Sequence, residues 1–327
     1  MKKIINDPNQ VVGDALLGLS KTNPHITYYP GLEVIARREK SGKVGVVSGG
    51  GSGHEPSFAG YVGEGYLDAA VAGNVFSSPS PDRILQGIKA ADSGKGVLII
   101  IMNYSGDIMN FDMARDLAAM EGIETEIVVV RDDVAVPESS TSTGRRGVAG
   151  TLFVLKCAGA AAAAGKSLSD VKEAAELACR NVRTMGMAMS ACTLPAVGKP
   201  GFELGDNEIE IGMGIHGEPG IEKSGVLKAK DLAKRLVDKI LADYDYTGSE
   251  VTVMVNGLGA TPLMELLILY NDVESYLTEQ GISVYRCFVG NYMTSLEMAG
   301  CSVTLLKMND ELKKLIDSPC KTAGMTV

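Results

Sequence analysis

A secretory leader, a membrane span, a thiol pair and a basic excess are all missing from this sequence. The first ten residues, MKKIINDPNQ, carry lysines with no apolar stretch behind them, so no signal peptide is read. No uninterrupted apolar run reaches the roughly 18 residues that a lipid-spanning helix needs, and AGAAAAAG reads as small-residue helix packing. Six cysteines (Cys157, Cys179, Cys192, Cys287, Cys301 and Cys320) are scattered without a CxxC pair, which predicts reduced, mostly buried thiols. Three histidines are too few, and too poorly spaced against the cysteines, to predict a structural zinc site. A net charge of −9 leaves no cationic surplus to displace counterions from DNA or RNA, so nucleic acid is not expected as a partner. A small neutral ligand, or a partner with a basic face, stays compatible with that charge. The expectation is a cytoplasmic protein with no membrane and no metal.

What is present is enough for two domains. With 327 residues, 45% of them hydrophobic and 22% charged, the chain can bury sizeable cores and global disorder is excluded. KVGVVS (Lys43 to Ser48), GVLIIIM (Gly96 to Met102) and EIVVV (Glu126 to Val130) read as buried strands. Helical spacing separates them, in SPDRILQGIKAAD from Ser80 and NFDMARDLAAMEG from Asn110. Two helices follow, TLFVLKCAGAAAAAG and SLSDVKEAAELACRNVRTMG, the first apolar all round and the second capped and amphipathic. The Pro/Gly-rich stretch TLPAVGKPGFELGDNE then links to a region with strands at IEIGMG, VTVMVN, YRCFV and SVTLLK. AKDLAKRLVDKILADY and TPLMELLILYNDV supply the helices between those strands. This rhythm predicts an α/β fold of two α/β domains, residues 1–185 and 186–327, with parallel or mixed sheets flanked by helices.

Ligands of open α/β sheets bind at the carboxyl ends of strands, and four polar motifs are expected at such ends: SGGGSGHEP, NYSGD, NGLGATP (Asn256 to Pro262) and HGEPG. SGGGSGHEP (Ser48 to Pro56) reads either as a tight turn or as a loop whose bare N–H groups approach a ligand. It is not a Walker loop, and it has the wrong spacing for a dinucleotide GxGxxG, which argues against an oxidoreductase. His54 at its end is either a structural histidine or a general acid/base. Asp107, in NYSGD, is a helix N-cap, a reacting carboxylate, or both. His216, in GIHGEPG (Gly214 to Gly220), is the sharpest candidate: glycines on both sides expose an imidazole whose nitrogen can attack a carbonyl carbon. His25 lacks such company and reads as a surface or packing residue. Arg145 and Arg146, in STGRRGVAG, suit either the phosphate oxygens of a partner's bound nucleotide or a surface or interdomain salt bridge.

Taken in order, SGGGSGHEP, GYVGEGYLDAAVAGNVFSSPSPD, NYSGDIMNF, TSTGRRGVAGT, IHGEPGI and NGLGATPLMEL resemble the substrate-binding K subunit of dihydroxyacetone kinase, of the phosphotransferase-system-dependent type. The resemblance covers essentially the whole chain. It implies a homodimer and a substrate site between the two domains. It also implies a covalent role for His216, whose ring nitrogen adds to the ketone of dihydroxyacetone to give a hemiaminal. His54 is then the acid/base histidine and Asp107 the carboxylate that takes a hydroxyl proton, with Gly51, Ser52 and Gly53 lining the substrate. Glycerol, having no carbonyl, is not captured.

No cofactor is expected on this chain. The resemblance implies that ADP or ATP with Mg sits on a separate, nucleotide-carrying L subunit, recharged in phosphotransferase systems by an M protein; some relatives exchange ATP instead. One position departs from the family pattern: Met102 stands before NYSGD where a lysine near the substrate is expected. A thioether cannot replace an ammonium's hydrogen bonds or charge. Met102 therefore leaves three readings: an active kinase subunit, a dihydroxyacetone-binding sensor that co-activates a transcriptional regulator, or a kinase subunit for another short ketose.

Overall fold

The computed structural model describes residues 2–40, 42–137 and 144–327. α1 (Val11–Thr22) leads into an antiparallel pair, β1 (Ile26–Tyr29) and β2 (Val34–Arg37). β3 (Gly45–Ser52), β4 (Ala69–Val75), α2 (Pro81–Ala91), β5 (Val97–Met102), α3 (Ser105–Met120) and β6 (Thr125–Val130) follow. The six strands form one mixed sheet in the order β1-β2-β4-β3-β5-β6, with β4, β3, β5 and β6 parallel. A parallel sheet is covered on both faces, and β5, VLIIIM, is accordingly buried at every position. Ile84 and Ile88 of α2 and Phe111 and Ala114 of α3 pack on Val47, Val71 and Ile99. α4 (Thr151–Ala163) is buried from Thr151 through Ala162 and contacts β3 and β5, which is why its sequence is apolar apart from Thr151 and Lys156. α5 (Leu168–Asn181) shows a charged outer face, as expected.

β7 (Val182–Ser190), β8 (Glu208–Ile211), β9 (Glu222–Gly225), α6 (Ala229–Asp243), β10 (Glu250–Gly257), α7 (Leu263–Glu279), β11 (Ser283–Gly290), β12 (Ala299–Lys307) and α8 (Asp310–Asp317) complete the chain. The second sheet runs β11-β10-β12-β7-β8-β9. Its β10–β11 pair is parallel and its other pairs are antiparallel, so it too is mixed. Val237 and Ile240 of α6 and Leu269 and Val273 of α7 close on Val253 and Val303.

Two compact α/β units result, and they interleave along the chain. The first comprises Met1–Val130, Thr151–Cys179 and Glu311–Val327; the second comprises Arg131–Gly150 and Arg180–Asp310. A single division at 185/186 would fall inside β7, which pairs with β12 along most of its length and with β8 at Met187 and Ala188. Among the described residues no helix is long and apolar enough to cross a membrane.

Candidate functional site

In the first unit, the glycine run is strand rather than loop. β3 continues through Ser52, and the reason lies in its neighbours. A Cβ on Gly49 would come within 2.4 Å of the Val71 carbonyl oxygen, and one on Gly51 within 2.6 Å of the Ser77 nitrogen. These two positions therefore use the missing side chain to admit protein backbone. The register between β3 and β4 slips after Gly51, a bulge that Ser52 closes by donating its hydroxyl to the Gly73 carbonyl at 2.7 Å. Gly53 follows at φ 102°, a conformation that favours glycine, and its N–H is capped by the Glu55 carboxylate at 3.0 Å.

This bulge and turn carry His54 inward. Its side chain is fully buried and its ring stacks on Phe76, centroids 5.0 Å apart and 16° from parallel. Asp107 lies on the neighbouring strand's exit. It is the third residue of α3, not its N-cap: Tyr104 holds the cap position, without a side-chain cap bond. The Asp107 carboxylate is 6% exposed and faces Gly50, where a Cβ would lie 3.7 Å from Oδ2. The first turn of a helix favours a carboxylate there. Met102 ends β5, is 1% exposed, and pairs with Val130 of β6. The first unit thus gathers His54, Asp107 and Gly50 to Gly53 at the carboxyl ends of the adjacent parallel strands β3 and β5.

His216 belongs to the second unit. The chain leaves β8 at Ile211 and returns at Glu222 of the antiparallel β9, so the imidazole is carried by the connection of a hairpin rather than by the end of a parallel strand. Glu218 organises that connection. Its carboxylate accepts the His216 main-chain N–H at 2.9 Å through Oε2, and Oε1 lies 2.8 Å from His216 Nδ1. Burial alone raises the Glu218 carboxyl. The His216 hydrogen bond and charge, with main-chain N–H groups, outweigh burial and hold it down at about 2. An ionised Glu218 accepts a proton-bearing Nδ1, which leaves the lone pair of a neutral imidazole on Nε2. The Ser295 hydroxyl fixes the residue before His216 by donating to the Ile215 carbonyl at 2.5 Å.

Arg145 and Arg146 form internal ion pairs. Arg145 is 4% exposed and bonds Asp243 through Nη1 at 3.0 Å; Arg146 is 9% exposed and bonds Asp133 and the Gly212 carbonyl. Both guanidiniums thus form ion pairs, but buried ones inside the second unit rather than at the surface or between domains, because their carboxylate partners lie in the same compact unit. His25 is exposed beside a cavity of about 730 Å³ in the first unit, whose lining includes neither His54, nor Asp107, nor the glycine run. Cys157 and Cys301 are buried thiols, pushed up to about 12 by burial. The sequence reading missed the partners that orient the two histidines: Phe76 for His54, and Glu218 for His216. The second was detectable, since a glutamate two residues after a glycine-flanked histidine can reach back to its ring.

A family model described as the Dak1 domain matches residues 17–324. The chain is 54% identical, over 95% of its own length and 95% of the relative's, to the PTS-dependent dihydroxyacetone kinase 1, dihydroxyacetone-binding subunit DhaK, of Listeria innocua serovar 6a. It is 51% identical, over 95% and 94%, to the PTS-dependent dihydroxyacetone kinase, dihydroxyacetone-binding subunit DhaK, of Lactococcus lactis subsp. lactis. Among solved structures, the dihydroxyacetone kinase of C. freundii superposes with a TM-score of 0.90 at 33% identity, over 100% of this chain and 61% of that one. The dihydroxyacetone kinase operon co-activator Dha-DhaQ superposes with a TM-score of 0.90 at 35% identity, over 98% of each chain.

Proposed function

The chain belongs to the Dak1 domain family, and from that premise we propose that it is the dihydroxyacetone-binding subunit of a dihydroxyacetone kinase, holding its substrate covalently on His216. The observation that carries this reading is the Glu218 carboxylate on His216 Nδ1, which leaves Nε2 as the basic nitrogen. The Nε2 lone pair adds to the ketone carbon, and the carbonyl π electrons move to oxygen, which takes a proton. The ring, made cationic by the new bond, gives up its Nδ1 proton through Glu218, which balances the proton gained by oxygen and leaves a neutral hemiaminal. A polyol such as glycerol offers no electrophilic carbon and is left out.

With the ketone fixed, a terminal hydroxyl attacks the transferring phosphorus, and its proton passes to Asp107 with His54 as the acid/base partner. Burial of both side chains supports this assignment, because a carboxylate and an imidazole screened from bulk water are sited for one proton rather than for solvation. Gly51, Ser52 and Gly53 supply backbone beside them. The phosphoryl group comes from a separate L subunit that carries the nucleotide and its Mg2+, with a phosphotransferase-system M protein as the upstream donor. The substrate subunit itself works as a homodimer.

A second reading is favoured by two observations, the 35% identity to an operon co-activator and the buried Met102 in place of a lysine. In it the chain captures the triose and reports it to a transcriptional regulator. Phosphoryl transfer to dihydroxyacetone, measured with the genomic L partner and its donor, separates the two. Turnover with dihydroxyacetone and none with glycerol supports the kinase subunit. No turnover, with a triose mass shift that His216→Ala abolishes, supports the sensor, and Met102→Lys then tests whether the missing ammonium is the cause.

A further inference from the structure

The Arg146–Asp133 pair lies beyond the residues to which the capture chemistry assigns a role, yet it reaches the turn that carries His216. Arg146 Nη2 donates to the Gly212 carbonyl at 2.9 Å, while Nε and Nη2 meet Asp133 Oδ2 at 2.8 and 2.7 Å. Asp133 is 3% exposed and is fixed in turn by accepting the Ala135 N–H at 3.0 Å. A carboxylate this enclosed is costly unless paired, and a guanidinium fork spends its donors in fixed directions.

The remaining guanidinium nitrogen, Nη1, points toward the turn that carries His216. A Cβ built on Gly214 would lie 2.6 Å from Arg146 Nη1 and 2.1 Å from Glu218 Oε2, so the guanidinium and the carboxylate that grips His216 face one another across that glycine. Gly214 also receives the turn's closing bonds, its N–H donating to the Glu218 carbonyl at 3.0 Å and its carbonyl accepting the Gly217 N–H at 3.1 Å. The same arginine therefore pins the start of the turn through Gly212 and sets a positive charge beside Glu218.

We infer that Arg146 is a positioning residue for ketone capture, acting through Glu218 to keep His216 in the tautomer with Nδ1 protonated and Nε2 nucleophilic. The inference rests on the covalent reading of His216 above, but its first readout does not require a triose. The imidazole 15N shifts of His216 report the tautomer directly, and with three histidines in the chain the signal is assigned by comparison with His216→Ala. The wild-type protein is expected in the Nδ1–H form, and Arg146→Met in a mixture of both tautomers. The second readout is capture of 13C-labelled dihydroxyacetone, followed by loss of the ketone carbon signal.

Arg146→Met is expected to weaken capture about tenfold, the size of one lost charge-assisted contact, and Arg146→Lys to recover part of that loss. Combined with Glu218→Gln, Arg146→Met should cost little more, because both changes break one chain of contacts. Additive effects, or a wild-type tautomer and full capture in a folded Arg146→Met protein, would overturn the inference. If the melting temperature of Arg146→Met collapses, the Lys variant and the tautomer spectrum of Asp133→Asn decide the matter. A wild-type protein that shows the Nδ1–H tautomer but never captures the triose would defeat the functional reading while leaving the positioning role of Arg146 standing.

Discussion

A carboxylate that accepts two bonds from one histidine has consequences that can be titrated. Glu218 is held at about 2, below the ordinary glutamate value of 4.5. Its folded form therefore binds fewer protons than the unfolded chain between those limits, and the stability it contributes is present above about pH 4.5 and lost as pH falls toward 2. Acid titration of unfolding should lose this part of its slope in Glu218→Gln, while the neutral-pH baseline drops because the His216 main-chain N–H exchanges an ionised acceptor for a neutral one. If the Gln variant kept the wild-type acid slope, Glu218 would not be ionised in the native state. Asp107 makes a different residue-scale prediction. Asp107→Asn preserves the shape of a 6% exposed side chain but removes its capacity to take a proton. Triose capture should survive in that variant while phosphoryl transfer falls by about 10²–10⁴-fold, the range of general-base contributions. Loss of capture and transfer together would mean that Asp107 binds rather than reacts.

At the scale of elements, the glycines of the first sheet are packing devices. Gly73 is the extreme case: a Cβ there would sit 1.9 Å from the Ser77 carbonyl oxygen, and the obstacle is backbone, which cannot swing aside. Gly73→Ala should cost about 1–3 kcal/mol through overpacking, read as a lowered denaturation midpoint at unchanged slope. Gly18→Ala is the control, since nothing lies within 4 Å of a Cβ in that turn of α1; the better helix former should raise stability by up to about 1 kcal/mol. Equal effects at the two sites would mean that β4 and the Phe76–Ser77 turn do not pack as closely as described. The same contacts explain what could and could not be read from the amino acids. Buried runs such as VLIIIM, and the helices α4 to α7, declare themselves by period and length. Ser48 to Ser52 could not, because SGGGS has turn composition and stays extended only through its neighbours Val71, Phe76 and Ser77. RNVRTMG continues the helical pattern of α5, so the sequence reads Val182 to Gly186 as helix, whereas their strand identity in β7 comes from pairing with β12. The candidate residues stand out because His54, Asp107 and His216 lie in short polar motifs; the partners that hold the two imidazoles do so less, Phe76 being 22 positions from His54 and recognisable only by stacking.

At the scale of the whole chain, the first unit is completed by residues 311–327, far from the rest of it in sequence. Leu312 and Ile316 of α8 are fully buried, and the side chain of Lys156, itself 1% exposed within the otherwise apolar α4, donates to the Leu315 carbonyl at 2.7 Å. Beyond α8 the chain pairs with the 59–67 segment, the Lys321 N–H meeting the Glu64 carbonyl at 3.0 Å and the Gly324 N–H the Gly60 carbonyl at 2.8 Å. The fit is close: a Cβ on Gly65 would come 2.2 Å from the Pro319 carbonyl oxygen, and one on Gly63 2.3 Å from that of Lys321. Losing even one such buried Leu or Ile typically costs about 2–5 kcal/mol, a large share of the roughly 5–15 kcal/mol that holds a domain folded. Deleting residues 311–327 should therefore unfold the first unit selectively and leave Lys156 a buried cation with its acceptor gone, while the β10–β12 core of the second unit persists. Hydrogen–deuterium exchange can check this peptide by peptide: protection should vanish from α4 and from residues 59–67 and remain in β10 and β12. The milder Leu312→Ala should give a partial version of the same pattern. Retained protection in α4 after the deletion would mean that α4 is stabilised by β3 and β5 alone, and that residues 311–327 are an accessory to the first unit rather than part of its core.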